Sequence, residues 1–304
     1  MAGQEKKKGS AVGRFVSTTV LILAIGVFAY AAWTLFGYYR EYKKSSDEYA
    51  DLNKEYIDDT PEETETEKDP ATGQVKKILT DVSALENPAT LQEKLENAAT
   101  REVVENGVPK TLPMLRNPVN FTELHTINED IIGWLRVGAL DISLPVCQAE
   151  DNDYYLHRTF ERTDNFAGCL FLNCDNSRYF TDQNSVIYGH NMRNGSMFGT
   201  LKKLQTQETY DSNQYFWVFT ENFIYQYRMF SVSIVSKIGD PYRVRFTTEE
   251  FGEFLQKCQS SSMIDNHGLQ VGTSDRITTL STCTGDESTR LIVQGVLAQV
   301  YCAI

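Results

Sequence analysis

The stretch FVSTTVLILAIGVFAYAAWTLFGYY, Phe15 to Tyr39, constrains this chain more than any other, because its 25 residues carry no charge. A helix rising about 1.5 Å per residue over that length crosses a hydrocarbon layer of roughly 30 Å. Lys6, Lys7, Lys8 and Arg14 precede it, so the positive-inside bias places that end in the cytoplasm and everything after Arg40 outside. Ala29-Tyr30-Ala31 has the small-x-small form of a leader cleavage site, which makes a secreted, cleaved chain the competing reading. The apolar run continues for eight residues past that point. That favours a single-pass anchor, with membrane lipid as the partner of residues 15–39.

The remainder is long enough, in a chain of 304 residues, for one substantial core plus extensions. A net charge of −12 argues against nucleic acid as a partner. That charge is concentrated: Asp47 to Asp69 holds eleven acids against Lys54 and Lys68. The run Thr60 to Glu67, TPEETETE, buries too little apolar area to offset its ordering entropy. Residues 40–117 are therefore expected to be a solvated acidic linker carrying two short amphipathic helices. The first rests on the spacing of Val75, Ile78, Leu79, Val82 and Leu85, the second on Leu91, Leu95 and Val103 after Pro88. A chain starting near Asn117 should then fold by itself.

From residue 118 the pattern changes to β. After a short helix over Val119–Ile127, strands are expected at Ile142–Cys147, Ala167–Leu172, Ser185–Tyr188, Tyr215–Phe219, Phe223–Val235, Arg276–Cys283 and Arg290–Val300. Thr220-Glu221-Asn222 reads as a hairpin turn. Many short strands with polar turns favour a closed barrel or a sandwich. One helix interrupts them: Thr247 caps it, Glu250 stands three residues on as a capping box, and Phe251, Phe254, Leu255 and Cys258 share a face.

Six cysteines in an exported chain raise the question of disulfides, but their spacing is too sparse for a disulfide scaffold. Most are expected to be buried free thiols. Cys169 and Cys174 with His267 form only a weak metal pattern, and no metal or cofactor is expected. Cys283 differs, since it closes the β run of TLSTC and is followed seven residues later by Arg290. If the two strands are neighbours, the guanidinium returns beside the thiol, where its planar donors can hold a carbonyl or an oxyanion. A thiol nucleophile also needs a base. Of the four histidines, His125, His157 and His267 read as surface or structural, whereas His190 leaves the strand SVIYG into a polar loop. Asp286 and Glu287 read as charges of a solvated loop.

TLSTC with a downstream arginine, and YGHNMRNGSMF about ninety residues earlier, resemble the sortases, membrane-anchored cysteine transpeptidases of Gram-positive bacteria. NEDIIGWLRV, LPVCQAEDNDYYL and the helix between the sixth and seventh strands are similar to class B in particular. The resemblance spans about Pro118 to Val300, within a catalytic domain expected over 118–304, and implies a mainly β fold, a sortase-type eight-stranded barrel with short helices. It also implies Cys283 as nucleophile, His190 as acid/base and Arg290 as substrate clamp and oxyanion stabiliser. The implied reaction cleaves a sorting motif of surface proteins and transfers them to a peptidoglycan amine, the precursor or the cross-bridge. A pilin-polymerising sortase, a secreted cysteine protease and a non-catalytic anchored module are the other readings. The loop from Cys283 to Arg290 is shorter than in some class B members.

Overall fold

The computed structural model describes residues 11–60, 66–68, 73–105 and 108–304. Lys6, Lys7 and Lys8 of the basic tail, and residues 61–65 of the acidic run, lie outside them. The chain divides into two units, at Met1–Ser46 and Asp47–Ile304. In the first unit the described residues belong to helix α1, Ala11–Tyr56. Its apolar residues are exposed on all sides: Phe15, Leu23, Phe28, Trp33 and Leu35 each show more than half of their surface. Water offers no partner for such a surface.

Most of the second unit is a closed barrel. Its strands are β1 (Ile131–Val137), β2 (Ile142–Cys147), β3 (Leu170–Leu172), β4 (Asn184–Tyr188), β5 (Tyr215–Phe219), β6 (Phe223–Ser236), β7 (Ile277–Cys283) and β8 (Thr289–Ala303). They pair in the order β1-β2-β3-β4-β7-β8-β6-β5, and β5 returns to β1, so all eight have two neighbours. Closure removes the exposed edges that an open sheet would present. The expected strand at Ala167–Leu172 shortens to β3, because Gly168 sits at φ +60° and cannot begin an extended run.

A buried polar ladder sets the register of the strands that matter most. Thr279 on β7 donates to Asn184 Oδ1 on β4 (2.8 Å), and Gln294 on β8 donates to Thr279 Oγ1 (3.3 Å). Asn184 in turn donates to the carbonyls of Pro241 and Arg243. A slip of one residue would bury these groups unpaired and turn every side chain to the other face. The helix Thr248–Ser260 carries the capping box on Thr247 and Glu250 and buries Phe251, Phe254, Leu255 and Cys258 against Phe230, Ile277 and Val296. Each such apolar side chain stabilises by about 1.5–3 kcal/mol.

Residues 40–117 depart from the expected linker. Helix α1 does not stop at Arg40 but runs on to Tyr56, and within the second unit its Tyr49 and Leu52 are buried. The helix expected over Val75–Leu85 is absent: Val75–Lys77 is a short strand and Ser83–Leu85 a 3-10 turn. Helix α2, Pro88–Glu96, forms behind the Asn87 cap, but Val103 belongs to a hairpin, Thr100–Glu105 paired with Val108–Leu115. The second strand of that hairpin extends β8 in parallel, with Met114 opposite Cys302 and Leu115 opposite Ala303. Ile78, Ala99, Met114 and Cys302 pack into one buried cluster. Glu86 accepts from Trp217 Nε1 and Asn213 Nδ2, both at 2.8 Å, and the Leu85 carbonyl accepts from Gln226 (2.9 Å). The segment is a wall of the folded body, because β5 and β6 present an indole and an amide that need partners.

Candidate active site

The ends of β7 and β8 bring Cys283 and Arg290 together. They are directly opposed in the antiparallel register, which sets their Cβ atoms about 4.5–5.5 Å apart. The loop between them is short and held by its own polar groups: Gly285 takes φ +102°, Thr284 and Thr289 hydroxyls meet at 2.6 Å, and the Asp286 carboxylate accepts from Ser288 N and Oγ at 2.7 Å. Hydrogen bonding from Ser288 holds the Asp286 carboxyl below the usual carboxylate range. Asp286 therefore shapes the turn. Arg290 Nη1 donates to the carbonyls of Thr289 (2.8 Å) and Glu287 (3.2 Å), which braces the guanidinium. Its Nε and Nη2 have no hydrogen-bond partner among the described residues.

The third side chain arrives on β4, parallel to β7. The pairing continues one residue past the strand, with Gly189 N donating to Ser281 O at 3.1 Å, and His190 follows at once. Only glycine fits at 189: a Cβ would lie 2.4 Å from Leu170 and 2.7 Å from Phe198. The next residue, Asn191, donates from Nδ2 to the Cys283 carbonyl at 2.7 Å, tying the histidine loop to the thiol residue.

His190 is oriented by a loop that follows β2. Its Nε2 lies 2.7 Å from the Leu156 carbonyl. A carbonyl oxygen only accepts, so Nε2 carries the proton and Nδ1 keeps its lone pair. The His157 ring stacks on the His190 ring, with centroids 6.1 Å apart and planes at 24°. Burial lowers the His190 pKa below the ordinary 6.5; the Leu156 carbonyl opposes the shift and His157 adds to it. The imidazole is thereby neutral at physiological pH and able to take a proton.

Cys283, His190 and Arg290 line one cavity of about 420 Å³, with Asn152, Leu156, Tyr188 and Tyr242 among its other walls. Tyr188 and Tyr242 stack at 5.9 Å, and Tyr242 Oη reaches Ser281 Oγ at 3.4 Å. Burial pushes Tyr188 up to about 12 and also raises Tyr242, so both phenols remain neutral. Thr282 Oγ1, in a residue only 3% exposed, has no partner among the described residues. The arrangement is a thiol, a neutral imidazole and a guanidinium with free donors around one open space.

The other candidates go elsewhere. His267 pairs with Asp211 at 2.7 Å, Cys169 packs against Cys147, and neither Asp286 nor Glu287 lines the cavity. All six cysteines are free. His125 lines a larger cavity of about 660 Å³ with Phe121, Tyr179, Phe223, Tyr225 and Val300. From Arg290 to Val300 is ten residues of β8, about 30 Å at roughly 3.3 Å each, and no cysteine lines that second space. Sequence reasoning did not find Leu156 and Asn191, because a backbone carbonyl and a loop amide leave no pattern of their own.

Comparison with known proteins agrees with this geometry. Residues 135–298 match the sortase domain family. Over 181 residues the chain is 33% identical to sortase B of Listeria monocytogenes, covering 58% of this chain and 72% of that protein. The solved sortase B of Clostridium perfringens superimposes with a TM-score of 0.54 at 30% identity, covering 58% of this chain and 98% of that one. Staphylococcus aureus sortase B superimposes both as a substrate complex (TM-score 0.55, 28% identity, 59% and 84% coverage) and with Gly3 bound (0.56, 27%, 59% and 85%). The matched span begins in β1 and ends in β8, taking in every strand that carries the thiol, imidazole and guanidinium, and the chain thus belongs to the sortase family as a class B cysteine transpeptidase.

Proposed function

We propose that Cys283, His190 and Arg290 carry out this transpeptidation on surface proteins bearing a sorting motif, and pass them to an amine of peptidoglycan. The observation that carries the assignment is the register placing Cys283 opposite Arg290 on the wall of the cavity that His190 also lines. Cys283 Sγ attacks the scissile carbonyl and its proton goes to the free Nδ1 of His190. The oxyanion forms beside the uncommitted Nε and Nη2 of Arg290. Collapse breaks the C–N bond, His190 protonates the departing amine, and a thioester remains on Cys283. An incoming amine then attacks, loses its proton to His190, and leaves as the new amide while the thiol is restored. The substrate and Gly3 complexes of the S. aureus relative support a peptide donor and an oligoglycine-like amine acceptor.

The same reading places the chain in the cell membrane through residues 15–39, with the basic end cytoplasmic and the barrel outside. It is supported by the apolar helix whose candidate span begins at Gly13 and by the exposure of its large side chains. The test of the chemistry is to quantify acid and amide products from sorting-motif peptides across an amine titration, and to identify the Cys283 adduct by mass spectrometry. Slow turnover with water that rises with amine and yields amide is expected. Rapid turnover to acid alone, unchanged by amine, would make the site a protease.

A further inference from the structure

Both groups that hold the His190 ring, the Leu156 carbonyl and the His157 ring, belong to one loop. That loop is anchored from a distance. Asn165 N donates to His157 O (2.9 Å), Gly168 N donates to Asn165 O (3.2 Å), and Cys169 N donates to Tyr155 O (3.0 Å). Gly168, at φ +60°, lies so close beneath the loop that a Cβ there would be 2.5 Å from the Tyr155 oxygen and 2.7 Å from the Leu156 oxygen. A side chain at 168 would thus collide with the oxygen that receives His190 Nε2.

The Gly168 carbonyl is itself fixed by a side chain from the end of α1. Tyr49, 5% exposed, donates its hydroxyl to Gly168 O at 2.6 Å. Its neighbour Glu48 accepts from Glu161 N in the same loop at 3.2 Å. Burial raises the Tyr49 pKa well above its ordinary value, so the hydroxyl keeps the proton it donates.

We infer that Tyr49 is a positioning residue for His190: by holding the Gly168 carbonyl it sets the Leu156 carbonyl, and through it the tautomer and aim of the imidazole. The inference rests on the role given to His190 under Proposed function. It extends the machinery beyond the barrel, to a residue ten positions past the apolar run. Such a residue touches no substrate atom and acts only through the loop.

The experiment uses the full chain in detergent, labelled with 15N-histidine. Tyr49→Phe keeps the ring and removes only the hydroxyl. In the wild type His190 should read as the Nε2-protonated tautomer; in Tyr49→Phe it should become a mixture, with kcat reduced about tenfold and KM within about twofold. Leu52→Ala, which removes a buried side chain of the same helix, is the control for loosened packing. It should lower the melting temperature at least as much while leaving the tautomer and kcat near wild type. A wild-type tautomer and kcat in Tyr49→Phe overturns the inference. So does an equal shift in both variants, which would assign the effect to helix docking as a whole. If His190→Ala stays active, the role of His190 falls, and the tautomer spectrum of Tyr49→Phe alone then decides the positioning.

Discussion

The ends of β7 and β8 and the wall built by residues 83–87 use hydrogen bonds in opposite ways. At the strand ends, Arg290 keeps Nε and Nη2 uncommitted and Thr282 keeps a buried hydroxyl without a partner. At the wall, Glu86 accepts from both Trp217 and Asn213, the Leu85 carbonyl accepts from Gln226, and Leu85 is 1% exposed. A buried polar group left unpaired costs about 1–3 kcal/mol. Buried unpaired groups occur elsewhere in the barrel as well, at Ser185, Ser233 and Thr278, so what sets the strand ends apart is that Thr282 and Arg290 line the cavity that Cys283 also lines. Unspent hydrogen-bonding capacity beside a thiol therefore marks the site more sharply than cavity size does, since the larger cavity lies elsewhere.

The contrast breaks most visibly at the strand ends. Cys283→Ala, His190→Ala and Arg290→Ala should each remain folded and lose at least about 10²-fold in amide formation, as removal of one oxyanion donor does in other enzymes. Arg290→Lys should fail as well, because an ammonium cannot reproduce the planar fork. Activity within about threefold of wild type in any of these would remove that residue from the mechanism. At the wall the expected effects are on stability. A chain starting at Asn117 lacks the partners of Trp217, Gln226 and Cys302, and its melting temperature by calorimetry should drop by on the order of 10 °C or more. An unchanged midpoint would return residues 74–116 to the status of a linker.

Single substitutions sharpen the comparison. Glu86→Ala strands the Trp217 indole and should cost about 1–3 kcal/mol in denaturant unfolding, whereas Glu86→Gln keeps an acceptor and should cost less. Burial raises the Glu86 pKa above its ordinary 4.5. The folded state therefore holds its proton longer, and the associated stability is present below 4.5 and lost as pH rises through the folded value. Glu86→Gln should remove that slope. At the site, His190 is shifted the other way, so the acid limb of kcat/KM should fall below 6.5, with the enzyme losing activity only as the imidazole becomes protonated. An acid limb above 6.5 would contradict the burial. The smallest effect belongs to Asp286→Asn, which keeps an acceptor for Ser288 and should leave turnover close to wild type.

What could be read in advance followed the distance over which each feature is decided. The apolar N-terminal helix, the capping box of the Thr248–Ser260 helix, the turn at Thr220–Asn222 and the β character after residue 118 are each set by neighbouring residues, and the sequence alone determined them. It also offered Cys283, Arg290 and His190 as candidates, through the strand that the cysteine closes, the strand that the arginine opens and the resemblance of TLSTC and YGHNM to sortase motifs. The Asn-Gly dipeptide at 106–107, passed over by the helix expected through Val103, favours pairing of the strands on either side. Only the tertiary structure decided that the described residues between 74 and 117 form a wall, that Leu156 and Asn191 orient the site, and that Tyr49 reaches Gly168. Helix spacing in Val75–Leu85 lost to strand pairing and to the needs of Trp217 and Gln226, more than a hundred residues away. A pattern of apolar residues states what must be buried, but which surface buries it depends on partners that only closure of the barrel brings within reach.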